Sequence, residues 1–263
     1  MKKNHVKFGA VFLLCLLMCI PSVHLFAQTK TDVDRLLEKY KLVWQDEFDK
    51  GQIDTAKWSY RGDGTKRNFA FVDGEKTVSF DDKGHAVIKV VQENGKYYVG
   101  QLSTDGHYNP KYGYYECRAK MNKGIGPHVA FWLQSPTISK SPINNTRENG
   151  AEIDIFEYHR KEPQIVWQTI HINGYGKDHQ QNGRKIPLPS IDTGFHTFGL
   201  LWTKDSYCFY IDGKKTWETS YGISNRSQFI ILSTELTGFG GEPSLGNYPD
   251  SVVFDYVRVY QPR

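Results

Sequence analysis

The stretch that most constrains this chain is Gly150-Ala-Glu-Ile-Asp-Ile-Phe-Glu-Tyr158. Ala151, Ile153 and Ile155 alternate with Glu152 and Asp154, the period-two pattern of a half-buried strand. Such a strand sends its apolar set into a core and its acids to the opposite face. Acidic side chains are depleted in strands, so Glu152, Asp154 and Glu157 on one strand demand a reason.

Strict alternation would turn Glu157 into the core and leave Phe156 outside. A β-bulge near Ile155-Phe156 inserts one unpaired residue, so that Glu157 rejoins the first two acids and Phe156 is absorbed by the core. The unbulged register would bury an unpaired carboxylate, at a cost of roughly several kcal/mol.

Three carboxylates on one strand face suit glycoside hydrolysis. That chemistry needs an ionised carboxylate and a protonated carboxyl flanking the scissile bond, roughly 5–5.5 Å apart when configuration is retained. Glu152 and Glu157 have that reach, and the charge of Asp154 between them raises the pKa of a neighbouring acid. The competing reading is a solvated acidic strip, which like-charge repulsion across a strand face disfavours.

The stretch Glu152-Ile-Asp154-Ile-Phe-Glu157 resembles the E-x-D-x-x-E motif of glycoside hydrolase family 16 in its bulged form. Leu42-Val-Trp-Gln-Asp-Glu-Phe-Asp49 is similar to the family's opening strand, and Tyr112-Gly-Tyr-Tyr-Glu-Cys-Arg-Ala-Lys-Met121 to its Y-G-x-x-E-x-R-x-K strand. Phe195–Trp202, Phe209–Gly213 and Phe254–Gln261 resemble later strands in the same order, so the likeness runs through most of residues 40–263. It implies a β-jelly roll of two curved antiparallel sheets with a substrate cleft on the concave face. It also implies retaining endo-hydrolysis of a β-linked polysaccharide, with Glu152 as nucleophile, Asp154 as orienting and tuning group, and Glu157 as acid/base. A protonated Glu157 then needs a raised pKa, which two neighbouring carboxylates would supply.

At the N-terminus a basic start (Met1-Lys-Lys3) precedes an apolar run from Phe8 to Ile20 and a small residue at Ala27. Residues 1–27 read as a secretory signal, too short in its apolar run to span a bilayer. Cys15 and Cys19 raise a lipoprotein alternative, but Leu14 and Met18 are bulky where a lipidation signal wants a small residue. The 33 basic and 29 acidic side chains approach balance once Lys2, Lys3 and Lys7 are removed with that signal. A near-neutral domain gives no electrostatic ground for nucleic acid or an anionic membrane. The expected product is a secreted, periplasmic or cell-surface monomer, bacterial by its signal.

Residues 28–41 read as a spacer with a short helix capped by Asp32, and 42–263 as one catalytic domain. Short strand-like runs separated by turn signals such as Asn94-Gly95 and Asp212-Gly213 give an all-β sandwich or barrel, with which the jelly roll implied by the resemblance agrees. Cys117 and Cys208 both lie in strand-like runs, and two cysteines make no disulfide framework. Residues 135–150 and 173–190 read as long loops placed to wall the cleft.

Aromatic residues make up 14% of the chain, enough to supply stacking surfaces for sugar rings. By the resemblance Trp132 is a substrate platform, with Tyr158, Trp167 and Tyr175 as further candidates. His171, on the next strand, is placed to hydrogen-bond the acid/base or a sugar hydroxyl. Two positions depart from the family pattern. His128 stands where laminarinase-like members carry the first tryptophan of W-P-A-F-W, which tilts the expected substrate from β-1,3-glucan towards a galactose-containing polymer. Glu235 replaces part of a leucine-asparagine-leucine run and faces either the cleft or its rim. Asp255 matches a family carboxylate that binds a structural calcium, and no cofactor is expected for catalysis. The alternatives are a β-1,3- or mixed-linkage glucanase and a non-catalytic, lectin-like carbohydrate-binding domain.

Overall fold

The structure is a computed structural model that describes Met1, residues 29–140 and residues 142–263. The expected signal segment lies almost wholly outside the described residues. Two sheets face one another across a common core. The concave sheet has seven strands in the spatial order 180–187, 165–172, 152–159, 128–134, 229–235, 101–103 and 59–60. The other sheet has eleven strands, built around the long closing strand Asp250–Pro262, which pairs with Gly113–Lys120, Ala86–Glu93 and Tyr40–Asp46. One pair departs from the expected antiparallel pattern: Ala70–Val72 runs parallel to Lys96–Val99.

Between the sheets the strands supply alternate side chains, as the pleat requires. Val129, Phe131 and Leu133 point inward from one strand, and Phe198, Leu200 and Trp202 meet them from the opposite sheet, all fully buried. Phe156 packs on Phe198 with ring centroids 4.3 Å apart. Cys117 and Cys208 are free, buried thiols in two different apolar clusters.

Ahead of the sandwich Asp32–Leu37 forms a helix whose N-cap is Thr31 rather than Asp32. Thr31 Oγ1 accepts from the Asp34 amide while Asp34 accepts from the Thr31 amide, closing a capping box. The segment 173–190 is not one long loop: Gln180–Pro187 is the edge strand of the concave sheet. Its largely exposed polar side chains carry no alternating apolar signal, as an edge strand that avoids aggregation requires. Among its described residues the 135–150 segment holds only a four-residue helix, Thr146–Asn149.

Candidate active site

Residues Glu152–His159 form the third strand from the edge of the concave sheet, and the expected bulge is present. Asp154 pairs with Trp132 and Phe156 with Phe131, so Ile155 is the extra residue on this side. On the other side the register slips between Asp154 and Glu157. Ile155 and Phe156 both enter the core, and Glu152, Asp154 and Glu157 emerge together on the concave face. Gly150, two residues before this strand, has φ +83°, with Ser135 Cβ and Oγ 2.3 Å from where a Cβ would stand. Only glycine combines that backbone with that approach.

The acids line a cavity of about 240 Å³ together with His128, Ala130, Trp132 and Gln134 from the neighbouring strand. Those four alternate along His128–Gln134 and so share a face. Gln134 Nε2 donates to Glu152 Oε2 at 3.1 Å and also to the Tyr175 hydroxyl, which itself donates to Glu152. His128 Nε2 lies 3.0 Å from Glu157 Oε1, and the Thr169 hydroxyl donates to Glu157 Oε2 at 3.1 Å. His171 is registered opposite Glu152. Its Nε2 lies 3.2 Å from Asp154 Oδ2, within ionic reach but not aligned as a hydrogen bond, and its Nδ1 contacts His179 Nε2 at 2.8 Å. His171 therefore attends the middle acid, not the expected acid/base.

Three buried acids on one face cannot all ionise freely. Burial first, and the Asp154 charge after it, push Glu152 up to about 8, against the pull of His171 and the Tyr175 phenol. Burial and then Glu157 raise Asp154 well above the carboxylate range. Glu157 goes the other way: burial works to raise it, but the His128 hydrogen bond and charge, helped by His171 and Thr169, hold it below the ordinary value. The expectation that neighbouring carboxylates raise Glu157 is thus reversed, because a histidine touches it directly.

The remaining candidates divide clearly. Tyr158 is fully buried in the core on the far side of the sheet, because the bulge that delivers Glu157 to the cleft turns its neighbour inward. It cannot touch substrate. Trp132 lines the cavity but is only 6% exposed, with the Arg61 guanidinium 5.1 Å above its ring and its indole donating to Ser233 Oγ at 3.0 Å. Its face is taken by Arg61, so it forms a wall and not an open stacking platform. Glu235 also lines the cavity, 3.5 Å from Arg67, and is not a rim charge. Trp167 lies in a second, adjoining cavity of about 580 Å³ with Glu157, Thr169, His171, Arg184 and Phe239. Tyr175 is 56% exposed and leans over Glu152 from the loop after Ile172.

Asp255 does not fit a calcium site. One of its oxygens is held by the Arg118 guanidinium, whose positive charge repels a second cation, and the other lies 3.5 Å from His85 Nε2.

Sequence reading missed Gln134, Thr169, Arg61 and Phe239. Gln134 and Thr169 were recoverable from period-two spacing to Trp132 and His171. Arg61 and Phe239 approach from edge and loop segments with no local signal.

The family model for glycosyl hydrolases family 16 matches residues 65–231. The chain belongs to that family. Across the described residues the family-16 chain resembles the laminarinase from Flavobacterium sp. UMI-01 at TM-score 0.72 and 26% identity, over 84% of this chain and all of that one. It is equally similar, at TM-score 0.73 and 25% identity over 90% of this chain and 94% of the other, to a structure from work on endo-acting O-glycanases expressed by prominent members of the human gut microbiota to initiate mucin breakdown. In sequence it is 25% identical to glucan endo-1,3-beta-glucosidase A1 of Niallia circulans, over 88% of this chain but only 39% of that protein. The family-16 fold is thus the two-sheet jelly roll that the resemblance implies.

Proposed function

We propose that this family-16 chain is a secreted, retaining endo-β-glycanase acting on a β-1,3- or β-1,4-linked polysaccharide. The observation that carries this reading is the bulge that gathers Glu152, Asp154 and Glu157 on the concave face. Glu152 attacks the anomeric carbon and forms a glycosyl-enzyme, while Glu157 protonates the leaving oxygen and then deprotonates water. Asp154, whose pKa burial and then Glu157 raise, orients the nucleophile. Tyr175 and Gln134 position Glu152 from the cleft side.

The two cavities support one direction for the polymer. The smaller touches all three acids, whereas the larger touches Glu157 but not Glu152. The leaving group must lie beside the acid/base, so the larger cavity takes the leaving side and the smaller takes the sugar that Glu152 attacks. Among the described residues no helix is long and apolar enough to cross a membrane, which is compatible with export.

For the sugar itself we favour a galactose-containing polymer, because a histidine and a covered tryptophan offer no broad flat platform beside the acids. The likeness to the mucin-directed O-glycanase structure supports that choice. The glucanase reading is favoured instead by the Niallia circulans and Flavobacterium relatives. Incubation of residues 28–263 with laminarin, mixed-linkage glucan, agarose, porphyran, carrageenan and mucin O-glycans decides between them. Oligosaccharides from a galactose-containing polymer, absent with Glu152→Gln, are expected; release from laminarin alone would give the glucanase reading. Binding of a polymer without cleavage would instead indicate a lectin-like domain.

A further inference from the structure

Both oxygens of Glu157 are engaged by neighbouring strands: His128 Nε2 at 3.0 Å on Oε1 and the Thr169 hydroxyl at 3.1 Å on Oε2. His128 is not registered opposite Glu157; Ala130 is. The contact is a diagonal one, which long side chains bridge, and the small Ala130 leaves the space for it. Phe239 stands perpendicular to the His128 ring at 5.1 Å, and Thr237 Oγ1 is 3.5 Å from its Nδ1. Among the described residues no lysine or arginine forms an ion pair with Glu157. The charged and titratable groups around the pair are Glu152, Asp154 and His159 on the acid strand, His171 on the next, Arg184 and Lys185 across the adjoining cavity, and Glu235, which is paired with Arg67.

We propose that His128 is the proton store of the acid/base, the two side chains holding a single proton between them. A buried imidazolium and a buried carboxylate are each costly alone and neutralise one another as a pair. Before reaction the pair is imidazolium and carboxylate. As Glu152 forms its bond to the anomeric carbon, the glycosidic C–O bond breaks and its electron pair stays on the leaving oxygen. The His128 proton passes to Glu157 and on to that oxygen, leaving neutral His128 and ionised Glu157, the form a general base requires. Water then gives a proton to Glu157 while its oxygen displaces Glu152, and that proton returns to His128. The cycle needs no outside acid. His128 is a positioning residue here, acting through Glu157, and its catalytic part rests on the proposed role of Glu157.

The test has two readouts. In full-length mature protein labelled with ¹⁵N-histidine, the His128 ring signals are assigned by their loss in His128→Gln and followed with pH. The expected result is a cationic ring past the ordinary histidine midpoint, with a midpoint about one pH unit or more lower in Glu157→Gln. Equal midpoints would overturn the shared proton, whatever reaction the protein catalyses. On the polymer found to be cut, His128→Gln is expected to lose at least about tenfold in kcat, part of what general acid catalysis supplies. A 2,4-dinitrophenyl glycoside of the released oligosaccharide, which leaves without a proton, is expected to be cut within about threefold of wild type. Equal losses on both substrates would overturn proton delivery. Undiminished polymer cleavage by Glu157→Gln would remove the acid/base assignment itself while leaving the titration result intact.

Discussion

The Tyr175 hydroxyl donates a hydrogen bond to the Glu152 carboxylate, although the two side chains come from different parts of the concave face. Glu152 opens the acid strand, and Tyr175 belongs to the loop that follows the neighbouring strand. Gln134 donates to both. The phenol pulls the Glu152 pKa down against burial, and Glu152 with burial pushes the phenol up, so the proton stays on Tyr175 and the contact is charge-assisted.

Removing that donor in Tyr175→Phe should lower kcat/KM about tenfold at pH 7, the worth of a hydrogen bond to a charged group. Above about pH 9 the loss should shrink, because Glu152 ionises there in either protein. A pH-rate comparison checks this. A pH-independent loss would mean that Tyr175 only contacts sugar.

The wild-type profile carries its own prediction. The proposed nucleophile, Glu152, must be ionised to attack, and its pKa is pushed up to about 8. Since kcat/KM reports groups of the free enzyme, it should climb with pH through neutrality, about tenfold per unit on the limiting limb. An acid limb near the ordinary glutamate value would show that Glu152 does not hold its proton in this way.

The same shift has a consequence for stability. Below the ordinary glutamate pKa of 4.5 both folded and unfolded states are protonated, so Glu152 is neutral in effect. As pH rises towards 8 the unfolded chain gives up the proton that the folded site keeps, and stability falls. Glu152→Gln removes this liability and should stabilise the fold by about 1–4 kcal/mol at pH 8 and hardly at all at pH 4. Denaturant melts at the two pH values measure the difference.

Gly150→Ala should act in the opposite sense. Its φ of +83° and the 2.3 Å approach of Ser135 leave no room for a methyl group. The cost should be about 1–3 kcal/mol from backbone strain alone, with activity falling further because Gly150 lies two residues before Glu152. Equal thermal stability and activity would show that the 135–150 segment yields without disturbing the acids.

The bulge was legible because an acid at the wrong phase has only one inexpensive remedy, and Phe156 had to go somewhere. Turn spacing and strand alternation made an all-β sandwich or barrel legible, and the likeness to family 16 supplied the choice of two sheets. Residues 180–187 escaped notice because an exposed edge strand needs no apolar face. Tyr158 was misplaced for an instructive reason: the bulge shifts the phase for everything after it, so Glu157 outward means Tyr158 inward. His128 was visible as a departure, but its partner was not. That contact is diagonal across strands and depends on Ala130 being small. Arg61 on the face of Trp132 joins residues 71 positions apart, which no local pattern announces.

The central claim is that Glu152 forms a covalent bond with sugar. The most direct measurement is peptide mapping by mass spectrometry after incubation with a 2-deoxy-2-fluoro glycosyl fluoride of the disaccharide that the enzyme releases. The account predicts one sugar per chain, on the peptide containing Glu152, and no label in Glu152→Gln. Label on Glu157, or a polymer cut with inverted configuration and no label anywhere, would contradict it.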